Sequence, residues 1–231
     1  MSKHVAVLMG GWSAERDVSL RSGAACAGAL TRLGYQVTPI DVARDIATVL
    51  SALKPDVCLN VLHGRPGEDG TLQGLLEVIG IPYTHSGVLA SALAMQKDVA
   101  KAFLRAADVP VAEGLVVSRL EAGKKHLLPR PYVIKPIAEG SSKGVFIVTP
   151  EHAHPPQELF REDWAYGERV IVEKYIAGKE LTCAVMGEEA LGVIEIVPAV
   201  RFYDYEAKYA PGGSRHLLPA LVFGPVGKQL V

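Results

Sequence analysis

Val57–Thr84 reads VCLNVLHGRPGEDGTLQGLLEVIGIPYT. The apolar run Val57–Leu62 breaks at His63-Gly64, and a Gly-Glu-Asp-Gly loop follows. Thr71–Ile79 then has a helical period that Gly80 stops, and Ile81–Thr84 turns apolar again. Strand, loop, helix and strand in so short a space form the repeating unit of a parallel sheet.

The same rhythm runs upstream. Val5–Met9 is an apolar run ending at Gly10-Gly11, as a buried parallel strand entering a tight turn does. Asp17 is placed to cap a helix with apolar positions Val18, Ala25, Ala29, Leu30 and Leu33 and with Gly34 as its stop. Gln36–Ile40 predicts a second strand and Ile46–Leu53 a second helix. Together these segments predict an α/β fold with a doubly wound parallel sheet. Ligands of such sheets gather at the carboxyl ends of the strands. The loops Gly10–Glu15 and His63–Gly70 should therefore open on one edge.

The texture changes downstream of about Ser86. Val88–Ala107 reads as continuous helix. Beyond it strands dominate: Leu115–Val117, Tyr132–Pro136, Val145–Val148, Val170–Tyr175, Glu180–Met186 and Leu191–Val197, with one helix expected around Pro156–Tyr166. Their alternation is that of antiparallel sheet, so the second region predicts an α+β domain.

Bulk composition narrows the classes of partner. The 231 residues carry 24 Lys+Arg against 25 Asp+Glu, a net charge of −1 that leaves no footprint for nucleic acid or an anionic membrane. Cys26, Cys58 and Cys183 are widely spaced and odd in number, which fits neither a disulfide framework nor a zinc site and suits a reducing cytoplasm. Neither a signal peptide nor an apolar stretch of roughly 20 residues is present.

Five segments carry possible chemistry. In Pro131–Val148, a strand delivers Lys135 and a loop follows, Glu139-Gly140-Ser141-Ser142-Lys143-Gly144. Glycines let backbone approach a ligand, and N–H groups, hydroxyls and Lys can hold phosphate oxygens. A plain hairpin with a solvated loop fits the same residues. In Val170–Leu181, a strand ends in Glu173-Lys174-Tyr175-Ile176 and a turn leads to Glu180. That strand end could read an adenine edge, with Glu180 on ribose hydroxyls, or it could be a solvated edge. His63 could orient a substrate, carry a proton or be structural. Glu15 could bind an ammonium group, or simply favour a helix dipole. Phe202–Tyr209, FYDYEAKY, suits a mobile lid that excludes water; an ordinary amphipathic loop is the alternative.

Taken in order, the segments GGWSAERDVSLRSG, LHGRPGEDGTLQGLLEVIGIPYTHSGVLASALAMQK, VIKPIAEGSSKG, VEKYIAGKELT and FYDYEAKY resemble the D-alanine–D-alanine ligases, ATP-grasp enzymes of peptidoglycan synthesis. The resemblance covers the chain to about Leu218. It implies ATP-dependent joining of two D-alanine molecules through an acylphosphate, with Mg²⁺ or Mn²⁺ as the metal. It also implies residue roles. Glu15 matches the carboxylate that grips the first ammonium, and His63 the histidine near that substrate. Lys97 and Lys135 match phosphate-binding lysines. Ser141 and Ser142 lie in the loop over the phosphates. Glu173, Lys174 and Ile176 match the adenine strand end, and Glu180 matches the ribose carboxylate. Lys208, an ATP contact, and Tyr209 lie in the lid, where Tyr209 would link to Ser141 and Glu15. Gln96 departs from the family, whose members usually carry Asp before that Lys.

The resemblance further implies a homodimer through the N-terminal domain and three parts: 1–95 (pre-ATP-grasp), 96–175 (ATP-grasp N-terminal subdomain) and 176–231 (partial C-terminal subdomain with lid). Family members continue further and supply Arg, Asp, Glu and Asn around two Mg²⁺. Residues 207–231 contain neither Asp nor Glu, so the expectation is a chain truncated before its metal ligands. Leu217–Val231, apolar and rich in Gly and Pro, looks unlike the helix expected there. Two rivals remain: a D-alanine–D-lactate type of ligase, and a non-catalytic fragment that binds nucleotide or D-alanine.

Overall fold

The computed structural model describes residues 2–199 and 212–220. The predicted lid, with Lys208 and Tyr209, lies outside the described residues. The chain divides into two compact units, Met1–Val111 and Ala112–Val231.

The first unit runs β1 (His4–Met9), α1 (Arg16–Arg32), β2 (Gln36–Asp41), α2 (Ile46–Leu53), β3 (Val57–Asn60), α3 (Thr71–Ile79), α4 (Val88–Met95) and α5 (Lys97–Ala106). Its strands are parallel in the order β2-β1-β3. The central strand β1 is covered on both faces, which is why its apolar run is unbroken. Ala6 and Leu8 pack with Ile40, Ile46, Leu50, Cys58, Leu72 and Leu76. Val5 and Val7 pack with Ala27 of α1 on the opposite side. This is the predicted doubly wound layout. Burial pushes the Cys58 thiol up to about 11, so it stays protonated in its core.

Three local expectations are corrected here. Ile81–Thr84 is a single parallel bridge between Cys58 and Tyr83 rather than a strand. Upstream, the Ile81 N–H closes α3 by donating to the Leu76 carbonyl (3.0 Å). Downstream, the Thr84 hydroxyl takes the Asn60 N–H (3.1 Å) and His85 turns to φ +88°. Both directions of growth are thereby used up. Asp17 lies in the first turn of α1 rather than at its cap, which is Glu15. The helix expected over Val88–Ala107 breaks at Gln96 (φ −89°, ψ 96°), and Lys97 becomes the first residue of α5.

The second unit contains β4 (Gly114–Ser118), α6 (Arg119–Lys124), β5 (Tyr132–Pro136), β6 (Phe146–Val148), β7 (Arg169–Lys174), β8 (Glu180–Met186), β9 (Glu189–Pro198) and β10 (Ser214–Leu217). Two antiparallel sheets form, β4-β7-β5-β6 and β10-β9-β8. Tyr132, Ile134, Val148, Leu159, Val170 and Val172 make a core against the first sheet. The helix expected at Pro156–Tyr166 is a single 3-10 turn, Gln157–Phe160. Leu159 is drawn into the core, and Arg161 leaves the turn extended (ψ 140°) to pair with Asp163 (2.7 Å). The unforeseen α6 is capped by Ser118, whose hydroxyl accepts the Glu121 N–H (3.1 Å). Ser-x-x-Glu was the signal for it in the sequence.

Candidate active site

Two loops in the first unit meet at the carboxyl ends of β1 and β3, as the parallel order requires. The loop after β1 carries Glu15, which is buried, and the loop after β3 begins with His63. Ser13 joins them. Its hydroxyl donates to the His63 carbonyl (2.7 Å) and accepts the Glu15 N–H (3.1 Å). One turn along α1, Ser19 repeats the device by donating to the Val61 carbonyl (2.7 Å) and accepting the Gly10 N–H (2.9 Å). Gly64 has φ +65°, and a Cβ there would sit 3.4 Å from Glu15 Oε2 and 3.2 Å from Ser13 Cβ. The carboxylate therefore lies against the backbone just after His63. The His63 Nε2 is buried without a hydrogen-bond partner, a state that normally calls for one.

Further along the same loop, the Gly67 carbonyl accepts from Asn60 Nδ2 (2.8 Å) and from Gln73 Nε2 (2.7 Å). The first loop is pinned from outside. Arg16 Nη1 donates to the Gly11 carbonyl (2.9 Å) and to Asp41 Oδ1 (2.6 Å), and the Arg44 guanidinium stacks 4.0 Å from the Trp12 ring centre. The hydrogen bond from Arg16 holds the Asp41 carboxyl below the usual carboxylate range.

In the second unit, strand register decides which side chains share a face. Lys135 of β5 lies opposite Ile171 of β7, and Val133 opposite Glu173. These four occupy the face away from the core of Tyr132, Ile134, Val170 and Val172. Lys135 and Glu173 form an ion pair there, with 26% and 9% of their side chains exposed. Beyond β5, Ser141 and Ser142 take φ +48° and +60°, and the Lys143 N–H donates to the Gly140 carbonyl (3.0 Å). That is a type I′ turn built without glycine at its centre, a strained choice of the sort found at ligand loops. Gly144 closes the loop, and a Cβ there would lie 2.8 Å from Tyr166 Cδ2 and 2.9 Å from Pro136 Cγ. Lys174 ends β7, Ile176 follows it 64% exposed, and Glu180 opens β8.

Glu15 is thus brought beside the His63 loop, and Lys135 beside Glu173. Lys97 stands at the start of α5 in the first unit. Among the described residues no three His, Cys, Asp or Glu side chains cluster closely enough to hold a metal ion. That donor set does not fit the implied Mg²⁺ or Mn²⁺ site, and no chemical step is derived through it. The residues that sequence reading passed over are Ser13, Ser19, Asn60 and Gln73. Asn60 had a visible signal, a polar residue inside an otherwise apolar run.

A parallel α/β unit followed by an antiparallel α+β unit is the layout of the ATP-grasp ligases. The family model described as D-ala D-ala ligase C-terminus matches residues 103–230, and that described as D-ala D-ala ligase N-terminus matches residues 46–86. A D-alanine–D-alanine ligase from Rhodopseudomonas palustris (strain BisB18) is 70% identical over 218 residues, covering 94% of this chain and 71% of the relative. One from Xanthobacter autotrophicus is 67% identical over 230 residues, covering 100% of this chain and 75% of the relative. The crystal structure of the Bacillus anthracis enzyme complexed with ATP superimposes with a TM-score of 0.75 at 30% identity, covering 96% of this chain and 72% of that one. This chain belongs to the D-alanine–D-alanine ligase family. The match continues to residue 230, so it includes the apolar stretch after Leu217 that looked unlike family sequence.

Proposed function

We propose that the chain binds ATP, and the first D-alanine at the Glu15–His63 loops, and that it serves the ATP-dependent ligation of two D-alanine molecules for peptidoglycan precursors. The observation that carries this reading is the pairing of a buried carboxylate, Glu15, with a buried and unpartnered imidazole nitrogen on His63, on two loops joined by one hydroxyl.

An amino acid presents an ammonium and a carboxylate a short distance apart. Glu15 suits the first, and His63 Nε2, carrying its proton, can donate to the second. A D-alanine carboxylate oxygen attacks the γ-phosphorus of ATP, and ADP leaves. The neutral amine of a second D-alanine then adds to the acylphosphate carbon, and the tetrahedral intermediate expels phosphate and loses a proton. Lys135 neutralises phosphate oxygens as charge moves onto ADP, with Lys97 and Lys208 assisting. Ser141 and Ser142 offer N–H and hydroxyl donors to the same oxygens. Glu173, Lys174 and Ile176 face adenine and Glu180 holds the ribose. Tyr209 in the lid helps to keep water from the acylphosphate. The parts 1–95, 96–175 and 176–231 serve the first substrate, the nucleotide and the lid. The working form is a cytoplasmic homodimer through the N-terminal unit.

The test is ADP release measured with ATP, Mg²⁺ and D-alanine. Release that requires D-alanine supports the ligase. ATP binding without D-alanine-dependent turnover supports the rival reading, a non-catalytic fragment that binds nucleotide or D-alanine.

A further inference from the structure

We infer that Ser13 is the positioning residue that sets the spacing between Glu15 and His63, and so fixes the first amino-acid site. The inference rests on the reading of that site as the one for D-alanine.

A serine hydroxyl has one proton to give and lone pairs to receive. Ser13 uses both functions across a sequence gap of 50 residues, donating to the His63 carbonyl at 2.7 Å and accepting from the Glu15 N–H at 3.1 Å. The local half of this arrangement, hydroxyl to the N–H two residues on, is an ordinary serine turn before a helix. The distant half is not local and has no role in starting α1. Helix α1 has no side-chain cap, and the Arg16 N–H is already taken by the Ser13 carbonyl (3.2 Å). The hydroxyl therefore ties the residue bearing the carboxylate to the residue bearing the imidazole through a single oxygen atom.

The surroundings reinforce the same spacing. Gly64 follows His63 in a left-handed conformation, and its missing side chain leaves room for Ser13 Cβ, Ser13 Oγ and Glu15 Oε2 together. The Gly64 N–H is held by Glu68 Oε2 (2.5 Å). The loop is anchored at its far end by the two amides on the Gly67 carbonyl. Ser13 anchors its near end to the carboxylate loop through a side chain that bonds to both site residues.

Ser19 supplies an internal comparison. Its hydroxyl makes the same pair of hydrogen bonds between the same two segments, at Gly10 and Val61, and bonds to neither Glu15 nor His63; the Ser19 N–H, which donates to the Glu15 carbonyl (3.1 Å), stays in place in Ser19→Ala. If joining the segments were all that mattered, losing either hydroxyl would have the same effect on ligand binding. If spacing at the site matters, only Ser13 should register there, because a misplacement of about 1 Å is enough to degrade a preorganised site.

The experiment measures D-alanine and ATP binding by calorimetry, and thermal midpoints, on the full chain and on Ser13→Ala, Ser13→Cys, Ser13→Thr and Ser19→Ala. Ser13→Ala should weaken D-alanine binding about tenfold, the usual effect of losing a buried hydrogen-bonding group, with ATP affinity within about twofold of wild type. Ser13→Cys keeps the volume but bonds weakly through sulfur; it should show the same defect even if the alanine variant folds poorly. Ser13→Thr restores the hydroxyl and should recover most of the affinity. Ser19→Ala should lower the thermal midpoint yet leave D-alanine affinity within about threefold. Wild-type D-alanine affinity in well-folded Ser13→Ala or Ser13→Cys, or an equal loss in Ser19→Ala, overturns the inference. Absence of D-alanine binding in the wild-type chain overturns the underlying reading of the site instead, and the inference falls with it.

Discussion

Lys135 and Glu173 show how much one strand register can decide. The ammonium sits three-quarters covered on the face of β5 away from the core and meets a carboxylate that is nine-tenths covered on β7. Removing charge from water is costly, and a pair of this burial adds little net stability over apolar residues of the same shape. On the proposed reading, its value lies in a cation held ready for phosphate. Lys135→Ala should therefore weaken ATP binding by about 1.5–3 kcal/mol, the range for a hydrogen bond to a charged group, and should also lower the thermal midpoint because Glu173 loses this cation. Adding Glu173→Gln should restore much of the midpoint but none of the ATP affinity. Unchanged ATP affinity in the single variant would sink the assignment. Asp41 makes a different prediction. Its carboxyl is held below the usual range, first by the hydrogen bond from Arg16, so the unfolded chain protonates there before the folded one does. The bond's contribution is complete above the ordinary carboxylate value, about 4, and fades as pH falls toward the folded value. The midpoint difference between wild type and Asp41→Asn should be present at pH 7 and shrink below about pH 4. A difference that grows in acid would contradict this.

At the level of elements, helix α1 carries two glycines with opposite reasons for being there. A Cβ on Gly23 would fall 2.4 Å from Met9 Cβ and 2.5 Å from its sulfur, so this glycine lets α1 close onto β1. A Cβ on Gly28 would meet only the tip of Arg32, at 3.5 Å. Alanine gains about 1 kcal/mol over glycine in a helix interior, and overpacking costs about 1–3 kcal/mol. Gly28→Ala should thus stabilise and Gly23→Ala destabilise, each read from denaturant unfolding; a gain at both positions would refute the close packing. The periodicity of α1 was plain in the sequence, but which glycine touched β1 was not, because that depends on the partner strand. The same division separates the other elements. Ile46–Leu53, Thr71–Ile79, Tyr132–Pro136 and Glu180–Met186 were legible residue for residue, since their periods and Gly or Pro borders are local. The fourth strand, the unbroken helix through Gln96 and the helix after Pro156 were misread. The first was decided by the Leu76 carbonyl that takes the Ile81 N–H and by the Thr84 hydroxyl that takes the Asn60 N–H, and the last by the core that takes the Leu159 side chain. At the candidate site, the residues within family motifs were visible in the sequence. Ser13 and Gln73 were not, because a serine or glutamine that holds a carbonyl looks in the sequence like any other polar residue.

For the molecule as a whole, the division of its apolar cores is the governing fact. Every residue of the two clusters around β1 precedes Val111, and every residue of the cluster around β5 follows Ala112. The first unit pairs most of its own backbone as well: β1 is paired on both sides, and the side of β3 away from β1 is taken by the Tyr83 bridge and by Thr84, which leaves the outer side of β2 as the sheet edge. A domain with a private core is able to fold alone. The segment 1–111 made alone should therefore unfold in one cooperative transition, with a stability of about 5–15 kcal/mol as for small domains generally. The exposed apolar side chains Phe103 and Leu104 on α5, 60% and 41% exposed in the full chain, bear on its solubility rather than its cooperativity. The measurement is a urea titration followed by far-ultraviolet circular dichroism and by Trp12, the only tryptophan in the segment. Coincident curves from backbone and tryptophan signals would match two-state unfolding. Separated curves, or a broad drift without a transition, would mean that the first unit borrows its order from residues beyond 111 and that the cores are less private than their membership indicates.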